Sequence, residues 1–279
     1  MDCDGNNDDA EETEDLKTMK LNVISDLHCA LKTDGSIEWY DFEPEKLEPA
    51  DYLVVAGDSG HALTERRIHA DLRKRTKGKF KKVLTIKGNH SYWVFAEEAE
   101  DPETADELVM APNDKIDLVD GDVAVIGTTL WTNSCSFSEI RHMNDYNYIP
   151  DFKPELQLKR YAKESRWIRE KWQEYKNAGK KVVIVTHHNP RDINQLPEYS
   201  LEHEDVRTAY WIDDKSMDDV KPDLWICGHI HENFDGEIDG VRFVRHPIGY
   251  RFGWYHVDVK KHPKYQSVID SWYNKVVEV

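Results

Sequence analysis

Short apolar runs that end in acid, amide or imidazole side chains recur along this chain. Residues 20–25 (Lys-Leu-Asn-Val-Ile-Ser), 51–57, 82–87, 181–186 and 223–227 are short and rich in β-branched positions, which predicts buried strands. In order, they lead into Asp26-Leu27-His28, Asp58, Gly88-Asn89-His90, His187-His188 and Gly228-His229-Ile230-His231. Residues 61–77 place Leu63, Ile68 and Leu72 among charged positions and stop at Gly78, the pattern of a surface crossover helix. A strand, a helix and a strand at this spacing imply parallel pairing through a right-handed crossover.

The clearest helical period lies in residues 154–177. Leu158, Tyr161, Ser165, Ile168, Trp172 and Tyr175 recur at three-four spacing, and Asn177-Ala178-Gly179 ends the run. That stripe reads as core. Residues 116–119 and 123–130 alternate and predict a hairpin around Asp120-Gly121, while 131–150 shows no period and reads as a structured loop. The acidic stretch 97–107 reads as an insertion at the rim of a site. Residues 241–244, 255–259 and 266–272 predict a closing run of mostly antiparallel strands. Residues 1–18 are polar, charged and without period, so a disordered acidic tail is expected there. No repeat or linker divides the rest, so 19–279 reads as a single domain.

Charge and composition narrow the chemistry. The chain has 279 residues and a formal net charge of -17, of which residues 1–20 carry -6 through eight Asp/Glu against two Lys. The remaining -11 repels a long phosphate backbone and speaks against duplex nucleic acid as a partner. A small phosphorylated substrate is still compatible, because bound divalent cations reverse the local field. There is no run of about 18 apolar residues and no basic-then-apolar leader, so neither a membrane partner nor secretion is expected. Cys3, Cys29, Cys135 and Cys227 have no paired spacing, which argues against a disulfide framework and a thiolate zinc site. A cytoplasmic protein is the expectation.

In an open α/β sheet, ligands bind beyond the carboxyl ends of the strands, so the five polar strand ends are candidates to converge. Asp26 and His28, two apart on an extended segment, point to the same side and can reach one ion. Four imidazoles, two carboxylates and one amide suffice for two divalent ions, and the absence of thiolates favours Mn, Fe or Zn. A carboxylate such as Asp58 can bridge ions about 4 Å apart, and such a pair activates water and clamps an in-line displacement at phosphorus.

Together these blocks resemble those of the calcineurin-like metallophosphoesterase superfamily. The resemblance spans about residues 20–252 and implies an α/β fold of the four-layer αββα sandwich type. It implies one ion on Asp26, His28 and His231, a second on Asn89, His187 and His229, Asp58 between them, and His90 as general acid. Thr129-Leu130-Trp131-Thr132, Met143-Asn144-Asp145 and Pro247-Ile248-Gly249-Tyr250 are similar to a small single-domain bacterial and phage-like branch. Ser59-Gly60-His61 follows Asp58, without the Asp-Arg pair of the protein Ser/Thr phosphatase branch, and Ser91 follows His90 where Asp or Glu is usual. Arg251 is a candidate for the displaced phosphate-gripping guanidinium, and His61 and His188 are candidate substrate contacts. The expected activity is hydrolysis of small phosphodiesters such as cyclic nucleotides by a metal-bridging hydroxide. The alternatives are a phosphomonoesterase or protein phosphatase and, in a different class, a metal-binding scaffold without catalysis.

Overall fold

The computed structural model describes residues 18–94, 115–133, 140–141, 143–193, 209–212, 215–249, 271 and 273–279. Arg251, the acidic stretch 97–107, residues 1–17, the proposed strand at 255–259 and, except for residue 271, the proposed strand at 266–272 lie outside the described residues. In chain order the strands are β1 (Lys20–Ile24), β2 (Ala30–Leu31), β3 (Ile37–Glu38), β4 (Tyr52–Ala56), β5 (Lys82–Ile86), β6 (Ile116–Asp120) and β7 (Val123–Thr128). They continue with β8 (Lys181–Thr186), β9 (Leu224–Cys227), β10 (Phe234–Ile238), β11 (Val241–Arg245) and β12 (Val276–Glu278). The helices are α1 (Glu65–Arg75), the single turn α2 (Asp145–Tyr148) and α3 (Pro154–Asn177).

Two sheets face each other. One has the order β12-β1-β4-β5 and the other β10-β11-β9-β8-β7-β6, with β2 and β3 as a separate hairpin. The β4–α1–β5 unit pairs its strands in parallel, and β6–β7 is the antiparallel hairpin read from the alternation. Period-two alternation divides each strand between two cores. In β4, Tyr52, Val54 and Ala56 enter the core between the sheets, while Leu53 and Val55 pack outward with Ile68 and Leu72 of α1. In β8, Val183 and Val185 face inward, while Val182 and Ile184 join Ile168 of α3. Each such Val, Leu or Ile side chain taken fully out of water contributes about 1.5–3 kcal/mol, so the alternation stacks the layers as α, β, β, α.

Two sequence expectations change, at Leu158 and in the stretch 131–150. Leu158 is 41% exposed: the inward stripe of α3 runs through Gln157, Tyr161, Glu164 and Ile168, one position away from it. Of the expected closing run, residues 241–244 lie in β11, which pairs antiparallel with β10 and parallel with β9. β12, too short to show a period, closes the four-stranded sheet against β1. The stretch 131–150 contains α2, whose role emerges at the site.

Candidate metal centre

β1, β4 and β5 of one sheet and β8 and β9 of the other run parallel within their sheets, so their carboxyl ends share an edge. The segments leaving those ends carry all seven predicted ligands and His90. The backbone there is strained: Asp26 (φ 54), His28 (φ 43), Asp58 (φ 52) and His229 (φ 66) all occupy the left-handed region that side chains avoid. Neighbouring strand ends hold them there. Asp26 N donates to Gly57 O at 3.0 Å, His28 N to Asp58 O at 3.0 Å, and Gly228 N to His187 O at 3.0 Å. Gly88 has to be glycine, because a Cβ there would sit 2.0 Å from Asp58 Oδ1.

The donor atoms converge in linked groups. Asp26, His28 and His231 form one, and Asp58, His187 and His229 another, each with ligand atoms within 4.8 Å of one another. His28 Nε2 and His231 Nε2 lie 3.1 Å apart, and His231 Nε2 is 3.3 Å from Asp26 Oδ1. Asn89 Oδ1 reaches 3.0 Å from His187 Nε2, which joins it to the second group. Asp58 Oδ2 lies 3.3 Å from His187 Nε2 and 3.9 Å from both His28 and His90, so one oxygen faces both groups. His187 Nδ1 donates to Ala56 O at 2.9 Å, which leaves Nε2 directed into the cluster as a metal-ligating imidazole requires. Buried nitrogen and oxygen lone pairs packed this closely fit divalent cations.

Electrostatics points the same way. Burial and His90 push His28 well below its usual range, and burial with His188 and His187 does the same to His229. Those rings stay neutral and keep their lone pairs. Burial opposes charge on Asp58, but His187 and His90 outweigh it and hold the carboxyl well below its ordinary value. His187 is the exception. Burial disfavours its charge, yet Asp58 lifts it to about 9, a proton held where a cation would otherwise balance the carboxylates.

His90 stacks on Trp93 with ring centroids 3.5 Å apart, and its backbone N–H donates to Asp58 Oδ1 at 3.0 Å. Ser91 Oγ donates to Glu65 Oε1 at 2.6 Å and accepts from Gly88 N at 3.0 Å, so α1 supplies a carboxylate to the turn that carries His90. The three candidate substrate contacts fare differently. His61 is half-buried in the turn before α1, with its N–H on Thr64 Oγ1 at 3.2 Å. His188 is enclosed, 4.5 Å from the His229 ring and 5.3 Å from Trp131, and is brought against a predicted ligand and not to an open face. Arg251 lies outside the described residues. Glu65 and Trp93 escaped the sequence reading, since nothing in a helix's first turn or an aromatic run marks a neighbour of a distant strand end.

A family model described as calcineurin-like phosphoesterase matches residues 19–233. The chain belongs to this family. A phosphopantetheinyl hydrolase from Mycobacterium tuberculosis shares its fold at 20% identity and a TM-score of 0.56, over 93% of this chain and 95% of that one. A dimetal phosphatase from Danio rerio is similar at 12% identity and a TM-score of 0.42, over 81% of this chain and 86% of that one. A search of curated protein sequences finds no match. Membership in the calcineurin-like phosphoesterases makes phosphoester hydrolysis with divalent metal ions the chemistry of this fold, and the donor set fits it. No helix among the described residues is long and apolar enough to cross a membrane.

Proposed function

We propose that this chain is a two-ion phosphoester hydrolase that cleaves small phosphodiesters at least as well as monoesters. The reading rests above all on Asp58, whose Oδ2 faces His28 on one side and His187 on the other. Asp26, His28 and His231 would hold one ion, Asn89, His187 and His229 the second, and Asp58 would share itself between them. When bound, two such ions activate a water and neutralise charge on the phosphoryl oxygens. The chain's own task is then to hold the reacting groups in line and to protonate the departing oxygen. We assign that proton to His90, a reading supported by its Nε2 lying 3.9 Å from Asp58 Oδ2 and its ring stacking on Trp93.

The diester preference follows from charge. A monoester is a dianion near neutral pH, and its dedicated hydrolases add fixed cations beyond the metals. Here Ser59-Gly60-His61 follows Asp58 and supplies no arginine. The comparison to make is kcat/KM for bis-p-nitrophenyl phosphate against p-nitrophenyl phosphate with Mn²⁺, in wild type and Arg251→Ala. The diester is expected to be at least as good a substrate in both. A strong monoester preference that disappears in Arg251→Ala would show that Arg251 restores the clamp, and the diesterase reading would be wrong. Metal analysis of the same preparations is expected to find two equivalents, with occupancy and activity lost together in Asp58→Asn.

A further inference from the structure

The Met143-Asn144-Asp145 motif has no part in the ligand set, yet its carboxylate sits directly behind the centre. Asp145, the first residue of α2, is 3% exposed. A single oxygen, Oδ1, accepts from Asn89 Nδ2 at 2.9 Å and from Trp93 Nε1 at 2.7 Å. Both donors lead to the site. Asn89 turns its other amide atom, Oδ1, to within 3.0 Å of His187 Nε2, and Trp93 lies under the His90 ring. α2 is tied to the same segment a second time, through Val94 N on Tyr148 O at 2.9 Å.

We propose that Asp145 is a positioning residue for both halves of the reaction, fixing which end of the Asn89 amide enters the metal centre and seating the ring on which His90 stacks. The inference rests on the two-ion reading above and deepens it. An amide is nearly symmetric in shape and can present either oxygen or NH₂ after a half-turn. Only the oxygen can ligate a cation. Turned the wrong way, the Asn89 oxygen would face the Asp145 carboxylate, acceptor against acceptor, so Asp145 makes the productive orientation the stable one. Partners that orient a ligand typically change metal affinity or activity by about 10–100-fold when removed. Through Trp93 the same oxygen limits the motion of His90, whose proton matters most when the leaving group is poor.

The test compares wild type with Asp145→Ala, Asp145→Asn and Trp93→Phe, each checked for folding by circular dichroism and melting temperature. Mn²⁺ binding is followed by titration calorimetry, and turnover on an alkyl and a p-nitrophenyl phosphodiester. Asp145→Ala is expected to weaken one of two metal equivalents by about 10-fold or more and to lose more rate on the alkyl than on the p-nitrophenyl ester. Asp145→Asn still presents an oxygen to both N–H groups and is expected to hold both equivalents within about threefold of wild type, a rescue that mere space-filling would not explain. Trp93→Phe keeps an aromatic ring at that position and loses the N–H, so both equivalents remain while the added penalty on the alkyl ester appears. Asp145→Ser, too short to reach either donor, replaces the alanine variant if that one does not fold, with the same expectation. Wild-type metal affinity in a folded Ala or Ser variant would overturn the inference, as would loss of an equivalent in Asp145→Asn or an unchanged leaving-group profile in Trp93→Phe. Failure of wild type itself to bind two equivalents would instead overturn the two-ion reading.

Discussion

At the scale of single residues, the site is a contest between strain and charge. Four predicted ligands occupy left-handed backbone, each at a cost of about 1–3 kcal/mol, and the strand-end hydrogen bonds and glycine turns keep them there. At His90 the motif changes and a distant element supplies the missing group. The acid usual after such a histidine is replaced by Ser91, and Glu65 brings the carboxylate back from α1 through the serine hydroxyl. If His90 protonates the leaving group, its importance should scale with how much that group needs a proton. His90→Ala is expected to cost about 10²–10⁴-fold on an alkyl or ribosyl ester and distinctly less on a p-nitrophenyl ester, with both metal equivalents retained. Equal losses on the two esters in steady-state assays would assign His90 to metal or substrate binding.

At the scale of elements, α1 and α3 do different work on opposite faces. α1 buries Ile68 and Leu72 and exposes Arg66, Arg67, Arg73 and Lys74, while its first turn contributes Glu65 to the site. α3 holds down the segment after β7: Glu164 Oε2 accepts from Trp131 N at 3.2 Å. Burial lifts the Glu164 carboxyl from 4.5 to about 7, against the opposing pull of the Trp131 amide and the Arg160 guanidinium. Between those two values the folded protein keeps a proton that the unfolded chain has released. Stability from this group is therefore fully present below about 4.5 and is lost as pH rises through about 7. Melting temperatures of wild type and Glu164→Gln, taken across that window, should diverge as pH rises, with wild type falling more steeply. Parallel curves would mean that the carboxyl titrates normally.

At the scale of the whole molecule, the candidate centre joins two sheets that also meet through their apolar faces and through polar contacts such as Tyr52 Oη donating to Asp120 Oδ2 at 2.6 Å. Asp26, Asp58 and Asn89 leave the four-stranded sheet, while His187, His229 and His231 leave the six-stranded one. An ion shared by these groups binds only when both sheets are in place, so metal binding is linked to folding. Free metal at a hundred times its Kd adds about 2.7 kcal/mol per site, which is several degrees in Tm for a chain of this size. Exhaustive chelation should lower Tm by that order, and Mn²⁺ or Zn²⁺ should restore it. Calorimetry of Asp58→Asn should show a much smaller difference between chelated and metal-loaded samples. An unchanged Tm on chelation of the wild type would sever the link between the centre and the fold.

What the sequence determined by itself was each strand that leads into the candidate centre and the Asp, Asn and His side chains at those strand ends that the fold brings together. Those strands are short apolar runs rich in β-branched residues, and their polar ends are contiguous with them, so pattern and chemistry lie within a few residues of each other. The hairpin at Gly121 was legible for the same reason. What needed tertiary structure were relations over long separations. The carboxylate behind Asn89 comes from 56 positions away and the one behind Ser91 from 26. β12 returns to β1 from the far end of the chain, and three residues are too few to show any period. Leu158 fell on the wrong side of α3 because a three-four spacing accepts neighbouring stripes, and only the packed sheet selects the one through Gln157, Glu164 and Ile168. Local sequence sets what each segment can offer; which offers meet is decided by the packing of the layers, since contact depends on register and crossing that no single segment contains.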